Sequence, residues 1–229
     1  GEWWKDVDTD LSKSTIRPID SSTASAVILR YEWLGTMPQA VTQCFGMYHD
    51  GVLAGVAVFA HKPGANLASD KSGIVPADAL YLARGACVHW AHRHAATWMI
   101  SRVGNMLSPC TILAYSDPSA GEIGTIYQAL GWLYLGAAKG GPTAVTVDGK
   151  LISLRSFKRD RKYRVGQGID AVREAFPSAD SVVPVGRKGR YLGVYGDRRY
   201  KRKLLSALAP HALEYPKRSQ PSADATGEP

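Results

Sequence analysis

Cysteine is scarce in this 229-residue sequence, and the few present are badly placed for chemistry. Cys44, Cys87 and Cys110 are odd in number, widely spaced and set among apolar neighbours. With no CxxC or CxxH pair, neither a disulfide framework nor a zinc knuckle is expected. Buried reduced thiols in a cytosolic compartment are the reading. No apolar run approaches the ~20 residues that span a bilayer. The N-terminus lacks a basic-then-apolar leader pattern, so no membrane partner is expected. No internal repeat is visible, which sets aside solenoids and propellers.

What remains is a chain with 45% hydrophobic residues, ample for a core. Its length suits one large domain, or one domain with an appendage. The net charge of +8 is unevenly spread. Residues 1–149 carry 10 Lys+Arg against 12 Asp+Glu, whereas residues 150–218 carry 18 against 6. A neutral front joined to a strongly basic back is the pattern of a polyanion-binding appendage. Its plain alternative is a solvated basic face.

Along the chain, WWKDVDTDLSKS (3–14) is acidic and irregular, and TIRPI (15–19) reads as a strand. Ser21, Ser22 or Thr23 is placed to cap a helix running to about Tyr31. CFGMYHDGVLAGVAVFA (44–60) reads as a hairpin turning at Asp50-Gly51. A Gly/Pro/Ser-rich loop over 61–78 follows, of a length often functional. ALYLARGACVHW (79–90) reads as a strand with a bulge at Gly85. A helix follows from the spacing of Ala95, Trp98, Met99, Arg102, Val103 and Met106. CTILAYS (110–116) is another strand, Ile123, Ile126, Tyr127 and Leu130 mark a short helix, and WLYLGAA starts a further strand. Residues 143–157 alternate around Asp148-Gly149 as a second hairpin. Later helices are expected near 167–176 and 199–208, flanking a basic strand-like RYLGVYG. The order predicts an α/β (α+β) fold, a mixed sheet with helices on its faces.

That order resembles the GNAT acyltransferase fold, most sharply over SDPSAGEIGTIYQALGWLYLG (116–136), which is similar to its fifth strand, fourth helix and sixth strand. In that fold two strands splay, and the pantetheine of acyl-CoA lies in the gap. YEWLGTMP, LARGACV, GxIYQALGWLY and the basic RYLGVYGDRRYKRKLL…YPKR further resemble the phage Mom-type adenine-modification proteins, over roughly residues 15–218. That resemblance implies conversion of adenine N6 in DNA to a carbamoylmethyl form that blocks restriction. Its partner would be double-stranded phage or plasmid DNA in the cytoplasm of a bacterial host.

The resemblance places functional residues at Arg84, Thr97, Asp117 and Tyr127, with Tyr31-Glu32-Trp33 as a weaker set. Arg84 can hold a carbonyl or anion through its planar fork, or make a structural ion pair. Asp117 suits a general base, or simply opens an Asp-Pro turn. Tyr127 suits an acid for the leaving group, or a core aromatic. Glu32 can bond the amino edge of adenine while Tyr31 or Trp33 stacks on it, because a base modified at N6 must leave the duplex stack. Arg93, His94, Ala95 and Thr97 form the expected cofactor-binding turn for acetyl-CoA or another acyl donor, at a helix start where free amides favour phosphate. The turn reads AHRHAA, without the glycines such a phosphate loop carries. His89, His92 and His94 raise a metal reading, iron among the candidates, although their spacing matches no closed site.

Lys158, Arg159, Arg161, Arg190, Arg198 and Arg199, interleaved with tyrosines, are the expected DNA contacts. The chain is therefore expected to hold an irregular segment (1–11), a GNAT-like catalytic domain (12–158), a basic DNA-binding extension (159–218) and a disordered tail (219–229). Two rivals stand beside this reading: an ordinary acetyl-CoA-dependent N-acetyltransferase, and a non-catalytic nucleic-acid-binding protein on an acyltransferase scaffold. The chemistry itself raises a difficulty. Acyl transfer from a thioester bonds N6 to a carbonyl carbon, whereas a carbamoylmethyl group bonds it to a methylene.

Overall fold

The computed structural model describes residues 2–61, 74–118, 121–138, 143–147, 150–153, 177, 181–184 and 188–217. The chain divides into two units. The first comprises residues 1–116, 123–136 and 190–229, and the second residues 117–122 and 137–189.

The first unit is built on a seven-stranded sheet ordered β1-β2-β3-β4-β5-β10-β6. β1 (Thr15–Ile19), β2 (Val41–His49), β3 (Val52–Ala60) and β4 (Leu80–Cys87) pair antiparallel in succession. The β2–β3 turn places Asp50 at φ 46° and Gly51 at φ 77°. That is the paired left-handed geometry a two-residue hairpin requires. α1 (Ser21–Tyr31) is capped not by its own serines but by Asp20, whose carboxylate accepts the Thr23 amide at 2.8 Å. The same carboxylate accepts the Ser22 and Thr23 hydroxyls, which hold its pKa far below the carboxylate range.

The bulge in β4 falls at Ala83 and not at Gly85. Val58 faces Arg84 and Phe59 faces Leu82, leaving Ala83 as the extra residue. β5 (Cys110–Ser116) then pairs parallel with β4 through only three positions, Leu80↔Ile112, Tyr81↔Leu113 and Leu82↔Ala114. Beyond these the two strands are no longer paired. α2 (Ala95–Met106) crosses from β4 to β5, and α3 (Thr125–Ala129) links β5 to β6 (Leu133–Ala137).

Two cores separate the sheet faces. α1 packs Ala24, Val27 and Ile28 on Cys44, Val56 and Val58. On the opposite face α2 packs Met99, Ile100 and Val103 with Phe59, Leu82, Ile112, Ala114, Trp132, Tyr191 and Tyr195. The alternation of β2 and β3 residues between these cores is the two-residue period of a strand buried on both faces.

β10 (Gly189–Tyr195) lies between β5 and β6. It brings two wholly or nearly buried tyrosines into the α2-face core. α4 (Arg198–Leu208), capped by Asp197 on the Tyr200 amide at 2.7 Å, follows directly and buries Leu208. The span 159–218 therefore does not stand as an appendage: part of it is an inner strand of the main sheet. Arg190 shows the same correction at the level of one residue. Its guanidinium donates to the Leu135 carbonyl in the middle of β6 at 2.6 Å. The tyrosines expected to interleave with DNA phosphates, Tyr191 and Tyr195, are core.

The second unit carries a three-stranded antiparallel sheet ordered β8-β7-β9, from Lys150–Ser153, Thr143–Val147 and Ser181–Pro184. β9 has no counterpart in the sequence reading. Lys158, Arg159, Arg161, the expected helix at 167–176 and the tail 219–229 lie outside the described residues. Among the described residues no helix is long and apolar enough to cross a membrane.

Three glycines admit the aromatic core. A Cβ on Gly104 would clash with the Tyr195 ring, one on Gly124 with the Tyr191 ring, and one on Gly193 with the Trp132 ring. Gly104 decides between two opposing effects. Alanine gains about 1 kcal/mol of helix propensity, while overpacking a buried ring costs about 1–3 kcal/mol. The Tyr195 ring is pinned by its hydroxyl on Trp132 Nε1 at 3.1 Å, so it has little room to move. Gly104→Ala is expected to lower stability in urea unfolding despite its helical position.

Candidate functional site

β4 ends in a turn, Val88 to His94, that feeds α2. The Val88 amide donates to Ala54 O at 2.9 Å, tying the turn to β3. The next amides are also taken. Ala91 N–H donates to Val88 O at 3.1 Å and Ala95 N–H to His92 O at 2.8 Å. His94 N–H donates to His92 Nδ1 at 3.1 Å, and His92 N–H to His49 Nε2 at 3.4 Å. A loop that cradles a pyrophosphate needs consecutive amides turned toward the ligand. Here four amides are engaged by groups of the protein, and the turn has no glycine. Arg93 and His94 are exposed, Thr97 is half-buried, and the Ala95 methyl is buried in the α2-face core. The residues present do not fit the phosphate cradle of a CoA-binding turn, and no step is derived through that group.

His49 is fully buried and holds the turn from behind. Ser14 Oγ donates to Asp10 O at 2.8 Å, so the 2.6 Å contact between Ser14 Oγ and His49 Nδ1 assigns the proton to Nδ1. Nε2 is then free to accept from the His92 amide. Burial, reinforced by His92, holds the imidazole below its ordinary value of 6.5.

The three histidines read as a metal cluster do not converge. His89 packs edge-on to Trp4 with ring centroids 5.0 Å apart, and 6.1 Å from Tyr31. His92 and His94 lie 5.5 Å apart, with His92 Nδ1 engaged by a backbone amide. Among the described residues no group of three His, Cys, Asp or Glu side chains is placed to hold a metal ion. Burial pushes the Cys87 and Cys110 thiols up to about 11, which leaves no reactive thiolate at neutral pH.

Glu32 and Arg84, expected on separate grounds, meet. Glu32 is the C-terminal cap residue of α1, and its Oε1 lies 3.9 Å from Arg84 Nε. The guanidinium is also anchored by donating to Thr36 O at 2.9 Å and to Ala83 O at 2.7 Å. The second contact satisfies the carbonyl of the bulged residue, so the bulge and the arginine fix one another. Arg84 faces the α1 side, because it pairs opposite Val58 of that core. Tyr31 is half-buried under Arg30 at 5.3 Å, and Trp33 is 52% exposed. A neighbouring set escaped the sequence reading: Trp3 meets both Trp4 and Trp90 edge-to-face, and Trp4 meets His89 in the same way.

Tyr127 lies on the other face. Its ring stacks on Trp132 with centroids 5.1 Å apart and leans on Tyr191 at 5.3 Å. Tyr191, missed as a site element because it sits far along the chain, donates to Ile123 O at 2.5 Å and fixes the loop before α3. Gln128 bridges the same loop and the Tyr191 hydroxyl at 2.8 and 3.1 Å. Asp117 belongs to the second unit, where its buried carboxylate faces the Lys188 ammonium at 3.2 Å.

Two sequence-derived DNA contacts, Arg198 and Arg199, open α4 and are exposed, as are Arg202 and Lys203. Tyr200, Leu204 and Leu208 turn inward. The helix thus presents a cationic face of four side chains at helical spacing.

The family model described as the Mom protein family matches residues 13–217. Among solved structures the chain is similar to an N-acetyltransferase from Staphylococcus aureus, at 11% identity and TM-score 0.41, covering 80% of this chain and 98% of that one. It is also similar to a Bacillus subtilis acetyltransferase in complex with CoA, at 11% identity and TM-score 0.40, covering 80% and 99%. A third is the ribosomal-protein-S18-alanine N-acetyltransferase of Escherichia coli, at 11% and TM-score 0.38, covering 78% and 90%. No curated protein matches.

Because folding holds His49 neutral, its contribution to stability is complete above about pH 6.5 and falls as pH drops below that value. The slope reaches at most about 1.4 kcal/mol per pH unit for one proton. Urea unfolding between pH 7.5 and 5.5 checks this, and His49→Gln is expected to flatten the slope while lowering stability at pH 7.5.

Proposed function

The chain belongs to the Mom protein family, and from that premise we propose that it modifies adenine N6 in double-stranded phage DNA, replacing one N6 hydrogen by a carbamoylmethyl group. Membership over residues 13–217 is the observation that carries this reading. The exposed Arg198, Arg199, Arg202 and Lys203 support it, since cations at helical spacing suit a phosphate backbone without reading sequence.

In this reading the duplex rests on α4 and an adenine leaves the stack, received by Tyr31 and Trp33. Glu32, held by Arg84, accepts a hydrogen bond from the N6 amino group. Arg84 is a positioning residue: its fork is anchored on Thr36 and Ala83 before any substrate arrives. Glu32 then takes the N6 proton, and Tyr127 supplies one to the group that departs from the donor. The bond formed joins N6 to a methylene carbon, and the bond broken joins that carbon to the leaving group, which takes the electron pair. An acyl thioester used in the ordinary way would join N6 to a carbonyl instead. The engaged amides of the glycine-free β4–α2 turn likewise weigh against an ordinary acetyl-CoA enzyme.

Nucleoside mass spectrometry of plasmid DNA from cells making the chain tests the reaction. The expected product is a deoxyadenosine heavier by C2H3NO, lost in Tyr127→Phe. An increase of C2H2O would mean acetylation, and unmodified DNA would reject the assignment. For the DNA contact, Arg198→Glu with Arg199→Glu is expected to weaken duplex binding and to flatten its salt dependence. Each lost phosphate contact lowers the slope by about 0.9. Unchanged binding in a salt titration would remove α4 from the interface.

A further inference from the structure

We propose that Ser116 is a positioning residue, its hydroxyl donating a hydrogen bond to the carbonyl oxygen of the group transferred to adenine. This rests on the proposed reaction, and it adds a residue that neither the family motif nor the sequence reading singled out.

Three observations carry it. Ser116 is 2% exposed, and its Oγ is buried with no hydrogen-bond partner among the described residues. A buried hydroxyl without a partner is a standing loss of stability that alanine would remove. Such a hydroxyl is available to a group from outside the folded chain.

The second observation is position. β4 and β5 are paired only as far as Leu82↔Ala114, so Ser116 stands two residues past the last pair, where the strands have parted. Arg84 stands the same distance past it on β4. The two side chains leave the parted strands by opposite faces, the guanidinium toward α1 and the hydroxyl toward α2.

The third is the face. Ile112 and Ala114 lie in the α2-side core, and the two-residue period of the strand puts Ser116 on that side with them. Tyr127 packs against the same core.

Thr111 makes a useful contrast. Its Oγ1 is also buried and unpartnered, but it lies at the start of β5, before the pairing with β4 begins, and shares a face with Leu113 and Tyr115. It has no access to the opening, so the inference does not extend to it.

A carbonyl acceptor suits the site better than a charged group. The donor is a single neutral hydroxyl in an apolar wall, which can satisfy one lone pair and cannot offset a desolvated anion. The carbamoylmethyl group has one such oxygen, one carbon removed from the methylene that bonds N6. Fixing that oxygen would orient the methylene for attack.

The test pairs stability with product. Wild type, Ser116→Ala and Ser116→Thr are melted as purified proteins, and plasmid DNA from cells expressing each is analysed for modified deoxyadenosine. Ser116→Ala is expected to melt at or above the wild-type temperature, yet to yield less product by a factor on the order of ten to a hundred. Ser116→Thr keeps the hydroxyl and is expected to recover part of it. Equal product from wild type and Ser116→Ala would overturn the inference while leaving the reaction intact. If wild type itself gives no product, the proposed reaction fails first. Ser116 is then judged by melting with acetamide, a carbonyl-bearing probe that has no phosphate to place. A stabilisation present in wild type and absent in Ser116→Ala would uphold the hydroxyl as a ligand contact. The same response in both, or none in either, would overturn it.

Discussion

Three paired positions join β4 to β5, and the candidate site depends on that pairing stopping at Leu82 and Ala114. Were the ladder to continue, Arg84 and Ser116 would be ordinary interior positions of a closed sheet. The Ala83 bulge prevents this on the β4 side. It turns Arg84 toward α1, and the arginine in turn bonds the carbonyl of the bulged residue. A local irregularity in one strand therefore positions both the guanidinium and the carboxylate it faces.

The far side of the sheet is held by a different kind of interaction. Trp132, Tyr191, Tyr195 and Tyr127 form one aromatic body, in which Trp132 donates to the Tyr195 hydroxyl and Tyr191 donates to the Ile123 carbonyl. Glycines at 104, 124 and 193 give the rings room. Burial raises the Tyr191 and Tyr195 hydroxyls above their ordinary range, so both remain protonated and serve as hydrogen-bonding groups. Tyr127 stands at the edge of this body and is oriented by it.

Most of the strand and helix order was legible because hydrophobic period, turn dipeptides and strand-length apolar runs act locally. The Asp50-Gly51 turn and the helix from Ala95 are cases of this. The bulge was misplaced by two residues because Gly85 offers the obvious conformational freedom, whereas the actual site is set by register against β3, which no local signal carries. The basic composition of 150–218 suggested an appendage, because charge reports on surface and is silent on where a buried strand inserts. RYLGVYG is flanked by arginines, yet Tyr191 and Leu192 are fully buried. For the site, Glu32 and Arg84 were named through the resemblance, while their contact depends on where α1 ends against β4, which no local signal carries. The solitary burial of the Ser116 hydroxyl, the Trp3–Trp90 contact and the His49 contact to the β4–α2 turn join residues far apart in sequence and were out of reach.

The place of β10 also orders how the molecule can form. β5 ends at Ser116 and β6 at Ala137, but the strand that joins them starts only at Gly189. The intervening chain includes the second unit, whose three strands pair among themselves. During synthesis, β1 to β5 can assemble as hairpins and one βα crossover while β6 waits without its neighbour. The aromatic body cannot close until Tyr195 has emerged, and a pairing of such long sequence separation is intrinsically slow. Maturation of the cleft-bearing sheet is thus a late, single event governed by the last third of the chain.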